Sequence, residues 1–170
     1  MADHSRIHAY RGLGIDPGLA HTGYAVIGSF VNGGELCAWG SITTSSRFSI
    51  QERLNTIYEQ LQKLIVQWKP DLLALEDVYV YNMYPKAAIQ LGEVRGVVYL
   101  AASHHNISIR MIRPTEVKSC LTGSGRASKG EVQLSVRRIL NIDRPIKPDH
   151  ASDAAALALI AMSRSGYYQW

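Results

Sequence analysis

Acidic side chains and one histidine stand where predicted elements of this sequence begin or end. Asp16 follows a short apolar strand at residues 12–15, and Glu76 ends the apolar segment 71–76. If these strands are neighbours, their ends lie about 4.8 Å apart and the two carboxylates converge. Asp153 lies three residues after His150 in the first turn of the last predicted helix, so both project from the same face.

Together these side chains form the donor set of a divalent cation site. Carboxylates held close together repel one another unless a cation compensates their charge. Oxygen ligands with one optional nitrogen suit Mg²⁺ or Mn²⁺ better than zinc. If the last helix meets the two strand ends, the sequence predicts such a metal site there.

Each of these residues also has a structural interpretation. Asp16 can cap the turn that follows its strand. Asp153 can complement the helix dipole, with Asp149 as the N-cap, and His150 can be an ordinary surface histidine. Glu76 has the weakest structural explanation, because an acid after Leu-Leu-Ala-Leu is costly to bury without a partner.

Other chemically suggestive residues give weaker signals. The loop at residues 123–130 lacks the residue order of a nucleotide-binding P-loop. Three tyrosines follow Glu76 and are either core residues or stacking platforms for an unpaired base: Tyr79, Tyr81 and Tyr84. Three histidines have no patterned partner and are interpreted as structural or solvated: His21, His104 and His105.

The elements that must position the site follow from the hydrophobic pattern. Strands at 12–15, 23–30 and 34–43 form an antiparallel meander, with residues 31–33 as a hairpin turn and Gly18 turning the chain through a positive φ. Apolar spacing of three and four predicts a helix from residue 50 to Lys69-Pro70. A parallel strand at 71–76, a helix at 85–105 and a strand at 107–111 follow, and then three helices begin near residues 114, 128 and 149. This order predicts an α/β fold with a five-stranded mixed sheet and helices on both faces.

Length and composition limit the protein class. The 170 residues predict one domain at 11–170 after a polar tail at 1–10, and 46% hydrophobic residues are enough for a core. Two widely spaced cysteines, Cys37 and Cys120, argue against a disulfide framework or a zinc knuckle and favour a cytoplasmic protein. No apolar stretch approaches the roughly 20 residues of a membrane span, so we expect no membrane association.

The positive charge is concentrated in one segment. The chain carries a net +4, whereas residues 110–147 contain nine basic and three acidic residues, a net +6. Lys118, Arg126 and Lys129 lie in this basic segment and are candidate contacts for a polyanion such as DNA. Basic segments bind polyanions by releasing counterions from phosphates, although a solvated helix face is an equal alternative from charge alone.

Four motifs in register resemble the bacterial RuvC Holliday-junction resolvases. They are Leu-Gly-Ile-Asp-Pro-Gly at 13–18 with Thr-Gly-Tyr at 22–24, Leu-Ala-Leu-Glu at 73–76, Leu-Gly-Glu-Val-Arg-Gly at 91–96 and His-Ala-Ser-Asp-Ala at 150–154. The resemblance extends from about residue 12 to residue 163. It implies an RNase H-like domain whose first strand lies between the second strand and the strand ending at Glu76.

The resemblance also implies an activity and its residues. Members of this family are metal-dependent endonucleases that act as homodimers on four-way DNA junctions and nick two opposed strands symmetrically. Their catalytic metal ligands match Asp16, Glu76 and Asp153. The family's usual aspartate three residues before Asp153 is replaced by His150, which we favour by register, with the adjacent Asp149 as the alternative. Two Mg²⁺ or Mn²⁺ ions are expected, with Mn²⁺ preferred because imidazole is a softer ligand than carboxylate.

Further roles carry over from the same family. Tyr79 matches an aromatic residue near the junction centre, and Lys118 and Lys129 match DNA-contacting residues. The helix at 85–105, with Gly92 and Gly96 on one face, resembles the dimerisation helix. We also expect a junction-recognition and branch-migration motor as a partner. The alternatives are a related nuclease acting on RNA and a non-catalytic junction-binding module. An actin-like ATPase is disfavoured because that architecture needs two such domains.

Overall fold

A single mixed sheet forms the centre of the protein. The computed structural model describes residues 10–30, 33–77 and 85–167. Within them the strands are β1 (Arg11–Asp16), β2 (His21–Phe30), β3 (Gly33–Thr43), β4 (Leu72–Glu76) and β5 (Ser108–Ile112). The strand order is β3-β2-β1-β4-β5; β1, β2 and β3 are antiparallel, whereas β4 runs parallel to β1 and β5 parallel to β4. The predicted meander and parallel pair are therefore confirmed.

Helices cover both faces of this sheet. The helices are α1 (Ile50–Trp68), α2 (Pro85–His104), α3 (Pro114–Thr122), α4 (Lys129–Ile139) and α5 (Asp149–Arg164). Side chains of β4 alternate between two cores: Leu73 and Leu75 pack with α1 and α2, whereas Leu72 and Ala74 pack with α3, α4 and α5. β4 is therefore apolar throughout because both of its faces are covered.

Local capping explains where the helices near the site begin. Ser128 and Glu131 form a capping box that fixes the start of α4, so Lys129 is the first residue of that helix. The N-cap of α5 is Pro148, and the prediction that Asp149 is the N-cap is wrong. Asp149 is instead the first helical residue and its carboxylate accepts a hydrogen bond from Lys147 Nζ at 2.6 Å.

Glycines let α5 lie directly on β1 and β2. A Cβ at Gly14 would overlap the carbonyl group of Ala154, and one at Gly23 would lie 2.7 Å from the Cβ of His150.

The prediction of a positive φ at Gly18 is wrong, since the described glycines with positive φ are Gly123 and Gly166. Gly18 is required for space, because a Cβ there would lie 2.5 Å from the carbonyl oxygen of His21.

Several predicted features fall outside the described residues. These are residues 1–9 of the predicted tail, the hairpin residues 31–32, and the segment 78–84 with its three tyrosines. The last residue of the predicted tail, Tyr10, stacks on Tyr167 with ring centroids 3.3 Å apart. Among the described helices, none combines the length and apolarity needed to cross a bilayer.

Candidate active site

The ends of β1 and β4 bring two carboxylates into one cleft. Ile15 pairs with Leu75 in the parallel register, and Asp16 and Glu76 are the next residue on each strand. Both line a cleft of about 230 Å³ whose rim includes Asp153. The two strand ends are therefore adjacent, as the sequence analysis assumed.

The first turn of α5 adds an imidazole and a third carboxylate. His150 Nδ1 lies 2.7 Å from Asp16 Oδ2, within hydrogen-bond distance. An ionised carboxylate only accepts, so Nδ1 is then the donor. Ligand atoms of Asp16, His150 and Asp153 all lie within 4.8 Å of one another. Glu76 lines the same cleft but lies outside this three-residue cluster.

Burial and mutual repulsion control the charge of the acidic residues. Burial raises the pKa of Asp16 despite the opposing hydrogen bond from His150, and the nearby Asp153 carboxylate raises it further. Burial also raises the pKa of Glu76, with added repulsion from Asp16 and Asp153. The site therefore disfavours its own negative charge in the absence of a cation.

A lysine partly supplies that cation. Lys129 Nζ, from the first turn of α4, donates to Asp153 Oδ2 at 2.7 Å. This hydrogen bond is the main reason why the pKa of Lys129 is raised. The site thus contains a positive charge of its own next to the candidate metal ligands.

The donor set fits a hard divalent cation. Carboxylate oxygens from separate elements and one imidazole nitrogen converge within coordination reach of a shared point, as Mg²⁺ or Mn²⁺ sites require. Asp149 does not join them: it is exposed and pairs with Lys147. A larger cleft of about 480 Å³ lies between β3 and the loop after α4, but Asp16, Glu76 and Asp153 do not line it.

The predicted DNA-binding residues lie in different surroundings. Lys118 and Lys129 both line the carboxylate cleft. Arg126 is exposed, and its backbone N–H donates to Ser124 Oγ at 3.3 Å. Tyr79 lies outside the described residues. Of the three predicted DNA-binding residues that the structure describes, two therefore lie at the cleft.

Sequence reasoning missed residues that support the site. The His21 ring stacks on that of His150, with centroids 5.9 Å apart, and its Nδ1 lies 3.3 Å from Thr43 Oγ1. The antiparallel register pairs Asp16 with Gly23, which brings the start of β2, and with it His21, to the same end of the sheet as Asp16. Arg95 was also missed: its Nη1 donates to the carbonyl oxygen of Glu76 at 3.0 Å.

The buried Thr22 shapes the loop before β2. Its hydroxyl donates to the carbonyl oxygen of Gly18 at 2.7 Å and so holds the turn that follows Asp16. The Thr-Gly pair of the sequence motif therefore has a structural explanation: Thr22 closes the turn, and Gly23 leaves room for His150.

Comparisons with known proteins agree with this architecture. A family model described as crossover junction endodeoxyribonuclease RuvC matches residues 12–161. The enzyme of that name from Alkaliphilus oremlandii is 41% identical over 147 residues, which cover 86% of this chain and 89% of the relative.

Solved structures match over nearly the whole chain. The Thermus thermophilus RuvC structure has a TM-score of 0.84 and 29% identity, covering 94% of this chain and 98% of that one. The structure of T. thermophilus RuvC in complex with Holliday junction substrate has a TM-score of 0.85 and 28% identity, with the same coverage. The sheet order and helix placement are those of the RNase H-like fold. Since the family model spans most of the chain and the A. oremlandii relative is 41% identical across 86% of it, this chain belongs to the RuvC family of crossover junction endodeoxyribonucleases.

Proposed function

We propose that this protein is a structure-selective endodeoxyribonuclease that resolves four-way DNA junctions by metal-dependent hydrolysis. The observation that carries the proposal is the convergence of Asp16, His150 and Asp153 within 4.8 Å, with Glu76 lining the same cleft. A cluster of this kind would hold divalent cations, and such cations would support phosphodiester hydrolysis. The products would be a 5′-phosphate and a 3′-hydroxyl, which a ligase can seal.

Each side chain has a defined part in this proposal. Asp16, Glu76, His150 and Asp153 are the catalytic set and hold Mg²⁺ or Mn²⁺. Bound divalent ions supply an acidified water and stabilise the leaving 3′ oxygen. His150 also holds the Asp16 carboxylate at the cleft through its 2.7 Å hydrogen bond. Gly23 permits this orientation by leaving the backbone of α5 in contact with β2.

We place His150, and not Asp149, in the fourth position. His150 belongs to the cluster, whereas Asp149 is exposed and its pKa is lowered by the hydrogen bond from Lys147. An imidazole ligand favours the softer Mn²⁺. Junction cleavage is therefore expected to be faster with Mn²⁺ than with Mg²⁺ at equal saturation, and His150→Asp to reduce that difference. Equal rates in the unmodified protein would contradict the choice of His150.

Basic and aromatic residues around the cleft are proposed to bind DNA. Lys118 and Lys129 line the cleft itself, where a scissile phosphate must pass. Arg126 is an exposed cation in the segment between α3 and α4. Tyr79 follows Glu76 in the chain and is proposed to stack on a base at the junction centre. Tyr79→Ala should reduce junction cleavage more than duplex binding, and unchanged cleavage would assign Tyr79 to the core.

The exposed face of α2 fits a second copy of the chain. Positions 89, 92, 96 and 100 share one face, opposite the buried Val94 and Val98. Ile89 is 64% exposed and Leu100 50% exposed, and nothing in the described chain lies within 4 Å of a Cβ built at either glycine of that face. A homodimer through α2 would cover these side chains and match the near-twofold symmetry of a junction.

Dimerisation can be tested directly. Sedimentation at micromolar concentration should show a dimer, and Leu100→Glu should shift the protein toward monomer. Val66→Glu is the matched control, because Val66 is a similarly exposed apolar residue on α1. A monomer in the unmodified protein would contradict the proposed interface.

The cellular setting follows from the substrate. Junctions arise on chromosomal DNA, and both cysteines are free thiols, which suits the cytoplasm. A junction-recognition and branch-migration motor would deliver mobile junctions to the dimer. Adding such a motor should raise the cleavage rate on a mobile junction but leave an immobile junction unaffected.

The decisive experiment is cleavage of a mobile four-way DNA junction with added Mn²⁺. Asp16→Asn, Glu76→Gln and Asp153→Asn should abolish cleavage and retain junction binding. Cleavage by the Asp16→Asn variant would refute the metal assignment. Faster cutting of a matched RNA junction would support an RNA nuclease, and binding without cleavage by the unmodified protein would support a non-catalytic junction-binding module.

A further inference from the structure

Arg95 connects helix α2 to the strand end that carries Glu76. Its Nη1 donates to the backbone carbonyl oxygen of Glu76 at 3.0 Å, and its Nη2 donates to Tyr99 Oη at 3.0 Å. The Tyr99 hydroxyl in turn donates to Met111 Sδ on β5 at 3.8 Å. The guanidinium is thus held at two points: it joins α2 to β4, and Tyr99 of the same helix connects it to β5.

Glu76 needs such a support because it lies at the end of β4, beyond the last residue that pairs with β1. The pairing between β1 and β4 ends at Ile15 and Leu75, one residue before Glu76. On the other side Glu76 pairs with Ile112, whose carbonyl oxygen accepts from the N–H of Asp77 at 2.8 Å. The hydrogen bond from Arg95 fixes the same peptide from the helix side.

Arg95 also acts on Glu76 through its charge. Its hydrogen bond to the main chain of Glu76 places a fixed positive charge close to this acidic residue. Opposite charges attract more strongly in a partly buried site than in bulk water. The hydrogen bond and the charge of Arg95 therefore both favour one position of the Glu76 segment.

We propose that Arg95 is a positioning residue for the Glu76 carboxylate, and that it acts in metal binding and turnover without contacting the substrate. This inference rests on the proposed role of Glu76. Its mechanism requires the planar guanidinium, because two hydrogen bonds diverge from one rigid group to a carbonyl and a hydroxyl. A lysine ammonium is a point charge on a flexible stem and does not reproduce this geometry.

The test measures metal binding separately from cleavage. Mn²⁺ affinity without DNA is measured by electron paramagnetic resonance of the free ion, and kcat and KM are measured on a four-way DNA junction. Mutation of a residue that orients a metal ligand typically reduces metal affinity or activity about 10–100-fold. Arg95→Gln should therefore weaken Mn²⁺ binding at least about tenfold and lower kcat with little change in KM.

Graded variants separate positioning from a general structural role. Arg95→Lys should recover part of the loss through its charge, and Tyr99→Phe, which removes only the second anchor, should cause a smaller loss than Arg95→Gln. Lys86→Gln is the control, since it removes a positive charge from an exposed position at the start of the same helix. It should leave Mn²⁺ affinity unchanged.

Two results would overturn the inference. Unchanged Mn²⁺ affinity with a raised KM in Arg95→Gln would make Arg95 a DNA contact. Unchanged affinity and kcat in Arg95→Lys and Tyr99→Phe would overturn it even if Arg95→Gln failed to fold. Glu76→Gln is measured in parallel: normal cleavage by that variant would refute the proposed function of Glu76, whereas loss of cleavage there with normal Arg95 variants would refute only the role of Arg95.

Discussion

Lys129 is expected to compete with the metal for Asp153. Its ammonium lies 2.7 Å from Asp153 Oδ2, so a divalent cation that binds this carboxylate must compete with the lysine for that oxygen. Lys129→Gln removes the competing charge and leaves the start of α4 intact, because the capping box is formed by Ser128 and Glu131. The variant should therefore bind Mn²⁺ more tightly than the unmodified protein in the absence of DNA.

The exposure of the pair sets the size of this effect. The side chains of Lys129 and Asp153 are 56% and 30% exposed, so solvent screens much of their attraction. Exposed ion pairs contribute up to about 1 kcal/mol. Since about 1.4 kcal/mol corresponds to a tenfold change in affinity, the Kd for Mn²⁺ should fall by up to about fivefold. Added salt should reduce the difference between the two proteins.

The assay is Mn²⁺ titration without DNA, followed by junction binding without metal. Lys147→Gln is the matched control, because it removes the ion pair of Asp149, which lies outside the carboxylate cluster. Mn²⁺ affinity should be unchanged in this control. Lys129→Gln should also bind the junction more weakly, with a salt dependence reduced by about one phosphate contact. Unchanged or weaker Mn²⁺ binding by Lys129→Gln would refute competition, and tighter binding by Lys147→Gln would indicate that Asp149 is a ligand.

Further expectations concern the charge and packing of the site. Because burial raises the pKa of Asp16 in the folded protein, its ionisation destabilises the fold at neutral pH. Asp16→Asn should therefore raise the melting temperature at pH 7. This gain should vanish near pH 3, where Asp16 is protonated in both the folded and the unfolded protein. The raised pKa values of Asp16 and Glu76 predict that, in the His150→Asp variant, whose cluster contains no imidazole, Mn²⁺ affinity falls on acidification at a pH above the usual carboxyl range; a fall only within that range would contradict them. Gly14→Ala should cost about 1–3 kcal/mol of unfolding free energy in urea, because its Cβ would overlap the Ala154 carbonyl. A loss below about 0.5 kcal/mol would show that α5 moves away easily.

The sheet and its helices could be predicted because their signals are local. The spacing of Leu54, Ile57 and Leu61 predicts the helical face of α1, and Ile57 and Leu61 are buried as expected. The continuous apolar segment of β4 predicts a strand covered on both sides, which the two cores confirm. The exact start of α5 was not predicted correctly. Asp149 is a good N-cap residue by type, but Pro148 occupies that position.

The site could be predicted only in part because its supports come from distant segments. Asp16 and Glu76 were placed together by their positions at strand ends, and the family motifs indicated His150. The contact of His21 with His150 and the hydrogen bond from Arg95 to Glu76 depend on the register of β2 and the rotation of α2, which residue types alone do not specify. The prediction for Gly18 is wrong for a similar reason. A side chain is excluded at this position because a Cβ would contact the carbonyl oxygen of His21, and not because the residue has a positive φ.

The position of α5 affects when activity can arise during synthesis. Asp16 and His150 are 134 residues apart, and α5 supplies two of the three clustered residues as well as the helix that packs on β1 and β2. A nascent chain on the ribosome therefore cannot assemble the proposed metal site until α5 has been translated and has docked. A product terminated before α5 would contain Asp16 and Glu76 but could not nick chromosomal DNA.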